Sequence, residues 1–135
     1  MPKFPDTKKN SGAAGEEEAA RYLRRRGYDI VERNLRLAGS EIDIVARRGD
    51  ILAFVEVKTR RTSACGAAVE FVSVRKRQKL IRAAKLFMTR RSYAALQPRL
   101  DIIAVTTHEA LGAGSGIGAS PAAAAIEHYE GAIEE

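Results

Sequence analysis

The chain has little sulfur, few rings and no long apolar run, and each shortage removes a class of function. Its one cysteine, Cys65, has no partner for an internal disulfide or a thiolate metal cluster, which fits a reducing cytosol. Cys65 also lacks a neighbouring base, so thiol catalysis is not expected. Aromatic residues make up 6% of the sequence, too few to build a surface on which successive bases stack. No apolar stretch approaches the ~18 residues of a membrane span, so no membrane partner is expected. The opening Met1-Pro2-Lys3-Phe4-Pro5-Asp6 lacks the apolar core of a secretory signal, and a cytoplasmic location follows as an expectation. His108 and His128 have no ligand-like spacing. Gly12 and Gly15 precede a helix instead of following a strand, which is wrong for a nucleotide-phosphate loop.

What is present is one domain's worth of ordinary globular sequence with a positive surplus. The 135 residues hold 23 Lys+Arg against 17 Asp+Glu, a net charge of +6, with 45% hydrophobic and 30% charged residues. A basic balance points to a polyanionic partner. Residues 1–10 read as a flexible leader and residues 11–135 as a single domain, with a mobile Gly/Ser/Ala loop at about 111–121. Helical composition runs from about Ser11 to Arg26 and stops at Gly27. Glu17 and Glu18 lie on its solvated face, Glu17 four residues before Arg21. Glu16 has Ala20 and Leu23 at i+4 and i+7, which puts it on the stripe that faces a core, either in a site or as a cap or arginine partner.

Three strand-like stretches follow. Tyr28 to Leu37 is β-rich but irregular. Glu41 to Arg47 alternates, with Glu41, Asp43 and Val45 on one face and Ile42, Ile44 and Ala46 on the other. Ile51 to Thr59 places Leu52, Phe54, Glu56 and Lys58 together. A two-residue loop at Gly49-Asp50 pairs Arg48 with Ile51, and then Asp43 falls opposite Glu56 and Glu41 opposite Lys58. The hairpin thus gathers acids on a face that is otherwise apolar. Arg60 to Val72 reads as a loop. Ser73 can cap a second helix that reaches about Arg91, with apolar Leu80, Ile81, Ala84, Phe87 and Met88 at helical spacing. Its other faces carry Arg75, Lys76, Arg77, Lys79, Arg82 and Lys85 and no acid. Arg99 to Val105 alternates as a strand, and residues 122–133 add either an edge strand or a short helix.

Burying several carboxylates side by side is unfavourable because desolvation and mutual repulsion both oppose it. Lys58 supplies one compensating charge, and a divalent ion would supply two. Oxygen ligands from Asp43 and Glu56 suit Mg²⁺ or Mn²⁺, which can polarise a phosphoryl oxygen and activate a bound water. Lys58, two residues after Glu56 on the same face, could orient that water. Glu41 is a second ligand, a partner for Lys58 or a solvated charge. Asp101, flanked by apolar residues, reads as a structural hydrogen-bond acceptor. The single-sign charges at Arg60, Arg61, Arg75, Lys76, Lys79 and Arg82 are candidate phosphate contacts, reading backbone without sequence.

Asp43 followed by Glu56-Val57-Lys58 on the neighbouring strand resembles the D…ExK signature of restriction-endonuclease-like nucleases, and Glu16 is similar to the extra acid of archaeal Holliday-junction resolvases. A wider pattern resembles the YraN family of uncharacterised bacterial proteins. It comprises Gly12-x-x-Gly15-Glu16-x-x-Ala19-x-x-Tyr22-Leu23, Gly27-Tyr28, Arg33-Asn34, Glu41-Ile42-Asp43-Ile44, Phe54-Val55-Glu56-Val57-Lys58-Thr59-Arg60 and Arg99-Leu100-Asp101. The resemblance covers roughly Gly12 to Val105. It implies an α/β fold with a restriction-endonuclease-like mixed central sheet flanked by helices. It also implies metal-dependent phosphodiester cleavage, with Asp43 and Glu56 as metal ligands, Lys58 as catalytic lysine and Glu16 as supporting acid. DNA, branched or single-stranded, is the implied substrate, and resolvase-like enzymes act on it as dimers, so a homodimer is part of the analogy. The alternative is a non-catalytic nucleic-acid-binding module on the same fold.

Overall fold

The computed structural model describes residues 6–60, 72–106 and 125–134. The first element, α1 (Asp6–Arg25), begins five residues ahead of the expected Ser11 and closes where Gly27 turns to φ +91°. There Tyr28 N donates to Leu23 O at 2.9 Å and Gly27 N to Arg24 O at 3.0 Å, which satisfies carbonyls the helix leaves open. Ala19, Ala20 and Leu23 on its inner stripe are fully buried.

Two hairpins come next. Strands β1 (Asp29–Leu37) and β2 (Ser40–Arg48) join through Ala38-Gly39, both at positive φ (53° and 74°), the pattern a two-residue hairpin favours. Strand β3 (Ile51–Arg60) returns from β2 with Arg48 opposite Ile51, the register expected for a Gly49-Asp50 loop. Helix α2 (Val74–Phe87) then crosses to β4 (Gln97–Thr106), which lies parallel to β3, and β5 (Ala125–Tyr129) pairs antiparallel with β4. A parallel neighbour requires such a crossover. The fold is α/β: a five-stranded mixed sheet in the order β1-β2-β3-β4-β5 flanked by two helices. Of the two readings of residues 122–133, the edge strand is the one observed. No helix among the described residues is long and apolar enough to cross a membrane.

Ser73 caps α2 as expected, its Oγ accepting from Lys76 N at 3.1 Å, but the helix ends at Phe87 instead of Arg91. The chain leaves it at Thr89, whose hydroxyl donates back to Leu86 O at 2.7 Å, and a short 3-10 turn at Arg91–Tyr93 leads into β4. Each helix buries one side of the sheet. Leu80, Ala83, Ala84 and Phe87 of α2 pack with Ile42, Val45, Leu52, Phe54, Ile102 and Ala104. Residues Ala19, Ala20 and Leu23 of α1 pack with Ile44, Ala46, Ala53, Val55, Ile103 and Val105. The rings of Phe54 and Phe87 meet edge to face at 5.5 Å between centroids, and burying each contributes roughly 1.5–3 kcal/mol.

That partition corrects one expectation. Ile42 does not share a face with Ile44 and Ala46; it sits with Val45 on the α2 side. Strand β2 therefore breaks alternation at Asp43. The β1–β2 ladder shows why: Arg33 pairs with Ile44 and Leu35 with Ile42, and between them Asn34 adopts φ +53°. Both strands change face over the same step, and Asn34 is a residue type that tolerates this conformation.

Candidate functional site

The break in β2 sets the position of the first carboxylate. The β2–β3 ladder is regular from Arg48↔Ile51 to Ile44↔Val55. Beyond it, Asp43 turns its side chain onto the neighbouring strand, where Oδ2 accepts from Val57 N at 2.8 Å. Burial is the main influence on this group, with the charge of Glu56 next and that of Glu16 further down. Together they push the Asp43 pKa up to about 7, against the Val57 hydrogen bond and the charge of Lys76.

Glu56 lies between Val55 and Val57 on β3 and is 5% exposed. Its Oε2 stands 3.6 Å from Lys58 Nζ and 3.3 Å from Lys76 Nζ. Its Oε1 is buried and accepts no hydrogen bond from the described residues. A buried carboxylate with two cations at one oxygen and no donor among the described residues at the other has acceptor capacity to spare.

Glu16 reaches the same place from α1. Burial raises its pKa and the charge of Glu41 adds to the rise, while Arg33 and side-chain hydrogen bonds from Asp43 and Asn34 oppose it. With its amide turned so that both ends are satisfied, Asn34 donates to the two Glu16 oxygens at 3.1 and 3.2 Å. The residue that turns β1 over thus also fixes the acid from the helix. Gly15, one residue earlier, lets α1 approach β3: a Cβ there would overlap the Thr59 hydroxyl.

Of the expected site residues, Glu16, Asp43, Glu56 and Lys58 come together where β2 and β3 separate. Lys76, expected to touch phosphates, joins them as an ion-pair partner of Glu56. Arg75, Lys79 and Arg82 are exposed along α2, at the i, i+4, i+7 spacing of a single stripe. Glu41 pairs across the ladder with Arg36 and is exposed, so it faces water. The side chain of Arg60, together with Arg61, Cys65, His108 and the loop at about 111–121, lies outside the described residues. Sequence reasoning missed Asn34 and the site role of Lys76. The signal for Lys76 was available: Leu80 and Ala83, at i+4 and i+7, are both buried.

The donor set is carboxylate oxygen only, the chemistry of a hard divalent cation that keeps water and phosphate in its remaining positions. Among the described residues no group of three or more His, Cys, Asp or Glu side chains is placed to hold an ion alone. Asp43 and Glu56 would serve as a pair, and Glu56 Oε1, which has no donor among the described residues, is the atom that suits such an ion.

A second polar cluster lies under α1. Asp101, fully buried, accepts from Arg99 Nε and Nη2 at 2.9 Å each and from Gly131 N at 2.9 Å, and its Oδ2 stands 2.8 Å from His128 Nε2. Burial opposes its charge, but the hydrogen bonds from His128, Arg99 and Gly131 prevail and hold its pKa below the ordinary carboxylate value. The His128 Nδ1 lies 3.1 Å from Tyr22 OH. Asp101 is the structural acceptor the sequence suggested, and it ties β5 and the following turn to the sheet. A cavity of about 570 Å³ between α2, β4 and the same turn is lined by Ile81, Met88, Leu96 and Leu100 among others, and holds none of the site carboxylates.

The segment that contains these groups is shared with known proteins. Residues 15–105 match the model of uncharacterised protein family UPF0102. A UPF0102 protein of Geobacter sulfurreducens is 42% identical over 123 residues, covering 91% of this chain and 88% of its own length. A UPF0102 protein of Syntrophotalea carbinolica is 48% identical over 94 residues, covering 70% of this chain and 76% of its own length. A third, from Caldanaerobacter subterraneus, is 40% identical over 98 residues, which is 73% of this chain and 80% of that one. The matched region begins at the close contact of Gly15 and ends in β4, so it holds every described member of the site, and the chain belongs to the UPF0102 family.

Proposed function

We propose that this protein is a divalent-metal-dependent nuclease of the restriction-endonuclease-like kind, hydrolysing DNA phosphodiester bonds. One observation supports it above the others. Glu16, Asp43 and Glu56 converge with Lys58 in a mostly buried corner, and Glu56 Oε1 is left without a donor among the described residues. A corner built only for stability would not gather like charges and leave a buried carboxylate oxygen without a donor among the described residues.

Asp43 and Glu56 would hold Mg²⁺ or Mn²⁺, which when bound polarises a phosphoryl oxygen and makes a hydroxide-like water available near neutral pH. The chain supplies the rest. Val57 N fixes the Asp43 carboxylate at 2.8 Å, and Glu16, held by Asn34, braces it from the helix side. Lys58 Nζ, 3.6 Å from Glu56, orients the attacking water and meets charge that develops on the phosphate. The α2 stripe of Arg75, Lys79 and Arg82 binds backbone phosphates without reading bases, and Arg60 and Arg61, which follow Lys58 closely in the sequence, are further candidates for the same contact. A homodimer belongs to this reading where two strands are cut.

One observation favours a second reading. Two lysines already face Glu56 Oε2, so a protein that only binds nucleic acid can balance part of this charge without an ion. The test is a cleavage panel of linear duplex, single-stranded, flapped and four-way DNA, with Mn²⁺ or chelator, beside folded Glu56→Ala and Lys58→Ala variants. Metal-dependent cleavage of at least one form, reduced 10²-fold or more in both variants, is expected. Salt-sensitive binding with every form left intact selects the binding module instead.

A further inference from the structure

Lys76 enters the site from the helix, while Lys58 enters from the sheet. Ser73 caps α2 at the Lys76 N–H, 3.1 Å away, which fixes the first turn above the end of β3. The two lysines then meet the same oxygen, Glu56 Oε2, Lys76 at 3.3 Å and Lys58 at 3.6 Å. Their surroundings differ from that of the acid. The Glu56 side chain is 6% exposed, whereas that of Lys76 is 42% exposed. A flexible four-carbon side chain that is 42% exposed can leave this pair at little desolvation cost; the buried Glu56 cannot. The sequence of α2 contains no acid to receive a released Lys76, and the exposed Arg75, Lys79 and Arg82 form the phosphate-suited stripe beside it.

We propose that Lys76 is an exchangeable cation of the site. It neutralises Glu56 in the free protein and passes to a substrate phosphate when a divalent ion takes its place at the carboxylate. The inference rests on the nuclease reading and adds a regulation to it. Metal removes the acid that holds Lys76 back from phosphate, and phosphate removes the lysine that competes with metal. Each ligand therefore raises the affinity of the other, by the same factor in both directions.

The test begins with Mn²⁺ affinity measured by calorimetry on the full chain without nucleic acid. Lys76→Met, which keeps the apolar stem, is expected to bind Mn²⁺ about fivefold more tightly than wild type, the size of a partly buried ion pair removed from competition. Lys76→Gln should do the same, Lys76→Arg should stay near wild type, and Lys79→Met, an equal loss of charge one turn along, should change the affinity less than about twofold. Affinity for a short DNA duplex is then measured with and without Mn²⁺ in a Lys58→Ala background, where cutting is blocked. Mn²⁺ should tighten DNA binding there, and the gain should disappear when Lys76→Met is added. Equal Mn²⁺ affinities in wild type, Lys76→Met, Lys76→Gln and Lys79→Met would overturn the exchange while leaving the nuclease reading standing. No Mn²⁺ binding by wild type, or binding that survives Glu56→Ala, would bring down both.

Discussion

Asp43 is costly to the fold in a way its neighbours explain. The ordinary pKa of an aspartate is 3.8 and here it is about 7, raised first by burial and then by Glu56. The folded state thus keeps a proton that the unfolded state has lost between about pH 4 and 7, and stability falls as pH rises through that window. The full shift corresponds to an upper bound on the order of 4 kcal/mol. Asp43→Asn keeps an oxygen for the Val57 N–H and removes the charge. In chelator at pH 8 it should be more stable than wild type by about 1–3 kcal/mol by urea denaturation, with the difference closing near pH 4. A variant less stable than wild type at pH 8 would show that the carboxylate is satisfied by groups other than those described. Legibility at this scale depended on helical spacing. Glu16 was readable because Ala20 and Leu23 follow it at i+4 and i+7, and both are fully buried. Lys76 heads an equivalent stripe, Leu80 and Ala83, but the like-charged residues around it hide that position within a basic run. Asn34 could not be read, because nothing local shows that a strand will turn over at φ +53°.

At the scale of elements, α1 depends on one close approach to β3. A Cβ placed on Gly15 would overlap the Thr59 hydroxyl and come within 3.3 Å of the Thr59 Cβ. The contact lies beside both Glu16 and Lys58, so relief that shifts the helix or the strand disturbs the site they carry. Gly15→Ala should cost about 1–3 kcal/mol by overpacking, and cleavage should fall beyond what lost stability explains. Adding Thr59→Ala, which deletes the hydroxyl and a methyl, should restore part of the loss, giving a coupling energy of about 0.5 kcal/mol or more in a double-mutant cycle. Strictly additive effects would mean that the two residues do not press on each other. The hairpin was legible because Gly49-Asp50 admits a two-residue loop, and that fixes Arg48 opposite Ile51 and every pair to Ile44 and Val55. The face change beyond it was not. Glu41-Ile42-Asp43-Ile44-Val45-Ala46 reads as unbroken alternation, and the interruption comes from the conformation of β1 alongside it.

For the whole molecule, the surplus of +6 is less informative than its separation. The basic helix lies on one flank and the clustered acids at the end of β2 and β3, with Lys76 bridging them. A second buried acid sets the opposite limit on stability. Asp101 is held ionised by His128, Arg99 and Gly131, so its contribution is present above the ordinary carboxylate pKa and lost as pH falls through its lowered value. Asp43 works the other way, losing stability as pH rises toward about 7. In chelator the two should place maximum stability in mildly acidic solution. A divalent ion on Asp43 and Glu56 would remove the alkaline penalty, since it binds the form that the fold disfavours. Mn²⁺ at about a hundred times its dissociation constant adds roughly 2.7 kcal/mol, which should raise Tm at pH 8 by roughly 5 °C or more. At pH 5 the proton on Asp43 competes with the ion, and the rise should be much smaller. Thermal melts at both pH values, with Mn²⁺ or chelator, measure the difference, and Asp43→Asn should abolish it. A Tm rise that is equal at the two pH values would place the ion somewhere other than this pair of carboxylates.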